Sequence, residues 1–179
     1  MWPADEASYE AFARHLSCAG TLPTYLPWPM EPGWRVTGFA WVGDAATDTV
    51  ATMTCCSGYT VPDGPVEVCV VTEEPGTGLG ARVARTPWLD PGPDAAQGPP
   101  VAKVALDGQN AKLWSVSSQQ QQEGDRAALV GEAGGRWLWL TVRPASAVLL
   151  LSQGWSLRDV SAFGSVLVDL PFGGPMTEW

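Results

Sequence analysis

The sequence predicts an α+β fold, a mainly antiparallel, curved β-sheet of about eight strands with a short helix near each end. Three observations carry that expectation. Charged residues make up only 16% of the chain while Gly (20) and Pro (16) abound, a composition suited to short strands joined by many turns. Strand-like runs follow one another in hairpin order, separated by turn residues. The stretch Ala127–Arg143, AALVGEAGGRWLWLTVR, places two apolar runs on either side of Gly134-Gly135, and a Gly pair supplies the positive φ that a two-residue hairpin turn needs. Such a turn sets Val130 opposite Trp139, Leu129 opposite Leu140 and Glu132 opposite Trp137. Trp137 and Trp139 then share one face, and Leu138, Leu140 and Val142 the other. A strand apolar on both faces belongs in the middle of a covered sheet, with Trp137 and Trp139 largely buried.

Taken in order, DEASYEAFARHL (Asp5–Leu16) reads as a helix capped by Asp5, with Tyr9, Phe12, Ala13 and Leu16 on one face and Gly20 as its stop. Glu6 and Glu10 suit its positive end, and His15 reads as a surface group near its C-terminal end. Thr21–Gly33 holds four prolines and reads as an extended arm anchored by Tyr25, Leu26 and Trp28. Trp34–Val42, Val50–Cys56 and Val66–Thr72 read as strands, the first two joined across the polar GDAATDT. Leu79–Arg85 makes a helical turn or two before Pro87, and Pro87–Pro100 is a surface loop. Val101–Leu106 and Ala111–Val116 form a hairpin; a four-residue loop DGQN pairs Val104 with Leu113 and Lys103 with Trp114. Ser117–Asp125 is a polar loop. After the central hairpin, Ala147–Leu151 reads as a strand, Leu157–Phe163 as a helix capped by Ser156, and Ser165–Leu170 as a last strand. The whole chain, 1–179, is expected to form one domain: helix 1–20, arm 21–33, sheet 34–170 and a loose tail 171–179.

Composition also constrains function. A net charge of −9 disfavours nucleic acid, which needs a basic stripe, and anionic membrane surfaces equally. MWPADEASYE lacks the basic flank and apolar core of a secretory signal, so a cytoplasmic location is expected. Cys18, Cys55, Cys56 and Cys69 contain no C-x-x-C pair, and all four read as reduced. With His15 as the one histidine, no metal and no other cofactor is called for. The lack of isoleucine, with two lysines against eight arginines, points to a GC-rich genome.

Two stretches are candidates for chemistry. VEVCVVTEEPGTGLGARVA (Val66–Ala84) is a strand followed by Gly76, Gly78 and Gly80. Backbone N–H groups in such a loop can hold an anion, with Arg82 beside them. The spacing departs from the phosphate-binding G-x-x-x-x-G-K-[ST] and from G-x-G-x-x-G. It matches the CoA-binding spacing of N-acetyltransferases at Glu73–Gly78, yet begins with an acidic residue and leaves little room for a helix before Pro87. Glu73 and Glu74 with Arg82 or Arg85 could form an acid/base cluster, but read rather as a solvated strand end with local ion pairs. Among ten tryptophans, Trp28, Trp88 and Trp155 fall near loops and are candidates for an exposed recognition patch for a protein partner. The remaining strand tryptophans, Trp34 among them, read as core.

Through YLPWPMEPGWRVTGFAW (Tyr25–Trp41), EEPGTGLGARVA (Glu73–Ala84), AKLWSV (Ala111–Val116) and GEAGGRWLWLTVRP (Gly131–Pro144), the chain resembles an uncharacterised actinobacterial family, a domain of unknown function. The resemblance spans about Thr24 to Asp159 and rests on the PWP…GW, GLGAR and WLW motifs. It implies a bacterial cytoplasmic protein and carries over no catalytic residues. Members of that family often begin with a short zinc-ribbon-like cysteine segment; only Cys18 stands there in this chain, so no metal role transfers. The function expected is a non-enzymatic interaction or accessory module. The alternative is a CoA- or nucleotide-linked transferase using Gly76–Gly80 as an anion cradle.

Overall fold

The computed structural model describes residues 7–43, 49–91, 95–116, 126–152 and 154–174. Asp5 and Glu6, part of GDAATDT, the loop Ser117–Asp125 and the end of the tail lie outside the described residues. Helix α1 (Tyr9–Ala19) is followed by β1 (Tyr25–Pro27), β2 (Arg35–Val42), β3 (Ala51–Thr60) and β4 (Gly64–Glu73). Then come α2 (Leu79–Ala84), β5 (Ala102–Leu106), β6 (Gln109–Ser115), β7 (Ala127–Ala133), β8 (Arg136–Arg143) and β9 (Ser156–Asp159). The nine strands form one sheet in the order β1-β9-β5-β6-β7-β8-β4-β3-β2. Every pairing is antiparallel except β5 with β9.

The β7–β8 hairpin sits in the middle of that order, in the register expected from the Gly134-Gly135 turn: Val130 faces Trp139, and Glu132 faces Trp137. Both turn glycines have positive φ (61° and 81°), which is why a Gly pair specifies it. Leu138, Leu140 and Val142 enter the core on one face of the sheet with Leu26, Val68, Val104 and Leu157. Trp139 enters the other, under Leu79, Ala81 and Val83 of α2. Trp139 is buried and Trp137 half-buried.

Cys55 and Cys56 point to opposite faces. Cys55 lies directly across from Cys69, their sulfurs 3.2 Å apart as free thiols. Burial pushes the Cys56 and Cys69 thiols well up, which keeps them protonated and unreactive.

Several elements differ from the sequence expectation, each for a local reason. Helix α1 is capped by Ser8, whose Oγ accepts from the Ala11 N–H at 3.3 Å. Its buried face is Ala11, Phe12, His15 and Ala19, with Ala13 exposed. His15 is therefore a core residue, 3% exposed, ringed by Phe12 and Phe39. The β5–β6 hairpin turns on Asp107-Gly108 alone (φ 47° and 85°), so Val104 pairs with Ala111 and Lys103 with Lys112. An Asp-Gly turn closes two residues tighter than a four-residue loop.

At the C-terminal end, Ala145–Ser152 and Gly164–Asp169 are 3₁₀ helices, and Ser156–Asp159 is a strand. These runs are too short for periodicity to settle their type. Partners on Tyr25–Pro27 and β5 make a strand of Ser156–Asp159.

Because the sheet curls, β1 at one end comes over β3 near the other. Threonine hydroxyls latch β1, the segment before it and the end of α1. Thr49 donates to the Cys18 carbonyl at 2.6 Å, Thr52 to Pro23 at 2.7 Å and Thr54 to Tyr25 at 2.6 Å. The Pro-rich arm is thus an edge strand held by side chains as well as by β9. Thr54→Val keeps the shape but leaves the Tyr25 carbonyl without that donor. We expect a loss of about 1–3 kcal/mol in urea unfolding; an unchanged midpoint would show that the latch contributes nothing.

Candidate functional site

The arm does not stop at Pro27. The Trp28 N–H donates to the Ser156 carbonyl at 2.8 Å, extending the β1–β9 pairing by one residue and bringing Trp28 beside the start of β9. The chain then turns, with the Trp34 N–H donating to the Glu31 carbonyl at 3.1 Å, and enters β2. Trp155 directly precedes β9. These three indoles, two from either end of one short turn and one from the far end of the chain, wall a pocket of about 190 Å³ with Pro27, Pro29 and Glu31. Gly154 and Ser156 complete it.

Each ring is held in place. Trp34 and Trp155 meet at 5.3 Å with an interplanar angle of 67°, so they form two differently oriented walls rather than a flat stack. Trp28 meets Phe163 edge-on at 4.8 Å. Behind Trp34 stands Gly58, where a Cβ would come within 2.3 Å of the indole; any larger residue would drive the ring out of position. Trp34 is 4% exposed, while Trp28 and Trp155 are half-buried.

The structure therefore brings two of the three sequence candidates together. Trp88 does not line this pocket; it is 57% exposed in the loop after α2. Trp34, which its strand-like surroundings assign to the core, is the third wall. The spacing PWPMEPGW carried that signal, since two prolines and a glycine between Trp28 and Trp34 fold the chain back on itself.

The glycine loop is built differently from an open cradle. Glu73, at the end of β4, turns its carboxylate into the loop. Its Oε2 accepts the N–H groups of Leu79 at 2.7 Å and Gly80 at 3.1 Å. The Gly76 N–H donates to Asp90 at 2.7 Å. The donors that would hold a phosphate thus hold the chain's own carboxylates. The surroundings are close-packed: a Cβ on Gly80 would lie 2.1 Å from the Trp139 ring, and one on Gly78 2.3 Å from Leu89. Arg82 is exposed on α2, and Glu74 pairs with Arg136 at 2.7 Å.

Burial raises the Glu73 pKa above its ordinary 4.5, while the Gly80 and Leu79 N–H groups and the Trp139 indole pull it back without prevailing. His15, the other buried titratable group of note, is held down to about 4 by burial. Its Nε2 lies 3.4 Å from the Thr24 hydroxyl.

Among the described residues no three His, Cys, Asp or Glu side chains are gathered as a metal ion would need. No helix among them is long and apolar enough to cross a membrane. The chain belongs to a family of unknown function (DUF6758), whose model matches residues 2–178. No curated protein and no solved structure matches it.

Proposed function

We propose that the chain is a non-enzymatic binding module, a single domain whose Trp28–Trp34–Trp155 pocket takes up one side chain or headgroup of a partner molecule. The observation that carries this reading is the pocket itself. Three indoles and two prolines converge on it, with Glu31 as its one ionisable side chain among the described residues. Aromatic walls provide large, rigid contact area at small entropic cost. General acid–base or nucleophilic chemistry needs convergent titratable groups, and one rim carboxylate does not supply them. At about 190 Å³ the pocket is smaller than the ~300–1,000 Å³ of most drug-sized ligand sites, which matches a single inserted group. The net charge of −9 supports a cytoplasmic role in which neither nucleic acid nor a membrane is the partner.

The test is a fragment screen by two-dimensional NMR, following the indole N–H signals. We expect binders to move the signals of Trp28, Trp34 and Trp155 together and to leave Trp88 in place. CoA esters and nucleotides included in the same screen are expected to leave Leu79 and Gly80 unmoved, because Glu73 occupies their N–H groups. A CoA ester shifting Leu79 and Gly80 at micromolar concentration would replace this reading with a transferase.

A further inference from the structure

The chemistry of the pocket walls selects one kind of guest. An indole face carries negative quadrupole density and attracts a cation placed over it. Three indoles line the pocket, and among the described residues the one charged side chain that lines it, Glu31, is acidic, with no lysine, arginine or histidine. Arg158 is tied to Phe163, the ring that packs against Trp28. It lies over the Phe163 ring with Cζ 5.8 Å from the centroid, and its Nε bonds Asp107 at 3.0 Å. Its charge is thus already met outside the pocket. The chain as a whole carries −9.

Hydrogen-bonding capacity narrows the choice further. A lysine ammonium brings three N–H donors and a tightly held hydration shell, all of which need acceptors once water is removed. The pocket offers few. The Ser156 carbonyl already accepts from Trp28, and the Glu31 carbonyl from Trp34. The side-chain acceptors among the lining residues are the Glu31 carboxylate and the Ser156 hydroxyl. A fully methylated ammonium carries the same charge, has no N–H to satisfy, and presents methyl groups to aromatic and proline walls. Resting on the binding-module reading above, we infer that the Trp28–Trp34–Trp155 pocket is an aromatic cage for a methylated ammonium group, with Glu31 as its counter-charge.

The experiment compares charge at constant shape in the intact chain. Tetramethylammonium and choline are titrated against 3,3-dimethylbutan-1-ol, the uncharged isostere of choline, with indole NMR shifts as the readout. A trimethyllysine peptide is the fourth probe. Choline is expected to bind at least about tenfold more tightly than the isostere, the discrimination that a cation–π contribution of ~1.4 kcal/mol provides. Trp155→Leu, at a half-buried wall, should abolish the effect, and Glu31→Gln, at an exposed rim position, should weaken it severalfold without disturbing the fold. Tighter binding of the peptide than of choline assigns the cation to a partner polypeptide; the reverse assigns it to a free small molecule.

Equal affinity for choline and its isostere would overturn the inference while leaving a binding pocket in place. Unchanged choline affinity in Trp155→Leu would overturn it as well. If no cationic probe moves the pocket indoles while other fragments do, the cage is wrong and the binding module stands. If nothing moves them, both fall.

Discussion

Acidification should destabilise this protein through His15. The imidazole is stacked against Phe12 and faces Phe39, and its folded pKa is lowered from 6.5 to about 4. The neutral ring is what the fold accommodates. In the unfolded chain the same ring takes a proton near pH 6.5. Stability from this group is therefore fully present above about pH 6.5, is lost as the pH falls, and is gone once the pH passes below about 4. A depression of that size corresponds to about 3 kcal/mol, a large share of the 5–15 kcal/mol typical of a folded domain. For a chain of this length it lowers the melting temperature by roughly 6–12 °C. His15→Gln keeps a group that can reach Thr24 and removes the titration. We expect it to cost about 1 kcal/mol at pH 7 and to be more stable than the natural protein at pH 4.5. Parallel pH–stability curves for the two proteins would refute the assignment.

Glu73→Ala is expected to be the most damaging single truncation near the glycine loop, while Glu73→Gln is expected to be harmless. The alanine leaves the buried N–H groups of Leu79 and Gly80 without the carboxylate that accepts them. At about 1–3 kcal/mol for each orphaned donor, partly offset by removal of a buried charge, the net loss is about 2–4 kcal/mol. Glutamine keeps an acceptor oxygen in place. The sign of the pH dependence is opposite to that of His15. The folded pKa of Glu73 is raised, so its stabilising contribution is full below the ordinary 4.5 and is lost as pH rises through the folded value. Glutamine keeps an acceptor at this position without the ionisation that burial opposes. Glu73→Gln should thus match or exceed the natural protein at pH 7 in chemical denaturation. An alanine variant as stable as the glutamine one would show that the loop needs no internal acceptor.

The central hairpin was legible because its turn and its faces are both encoded locally. Gly134-Gly135 fixes the pairing, and the alternation of Trp137 and Trp139 with Leu138, Leu140 and Val142 fixes the two buried faces. Ser156–Asp159 was not legible, because what makes it a strand lies far away. It pairs with Tyr25–Pro27 and with Ala105 and Leu106, and the Asp159 carboxylate receives the Thr24 N–H at 3.0 Å. His15 shows the same limit on a helix. Its position near the C-terminal end suits a cation, but rotating the buried face onto Ala11, Phe12 and Ala19 turns it inward. The pocket was half legible. Trp28 and Trp155 stood out as loop tryptophans, whereas Trp34 looked like an ordinary core residue. Nothing local reveals that the sheet curls until these rings meet.

The threonine latch bears on the order in which the molecule assembles. Trp28 and Trp155 lie at opposite ends of the chain, and β1 is only three residues long. Contacts between such distant segments carry the largest chain-closure cost and follow the local hairpins in folding. The strands β3, β4, β7 and β8 can stand before the arm arrives; the pocket cannot. It is complete only while Thr52 and Thr54 grip the carbonyls of Pro23 and Tyr25. Thr54→Val should accordingly speed amide exchange at Trp28 while leaving β8 protected, a local opening rather than global unfolding. In the natural protein, the same grip is expected to set how often the pocket comes apart and reforms, and, if the binding-module proposal holds, how quickly a guest enters and leaves.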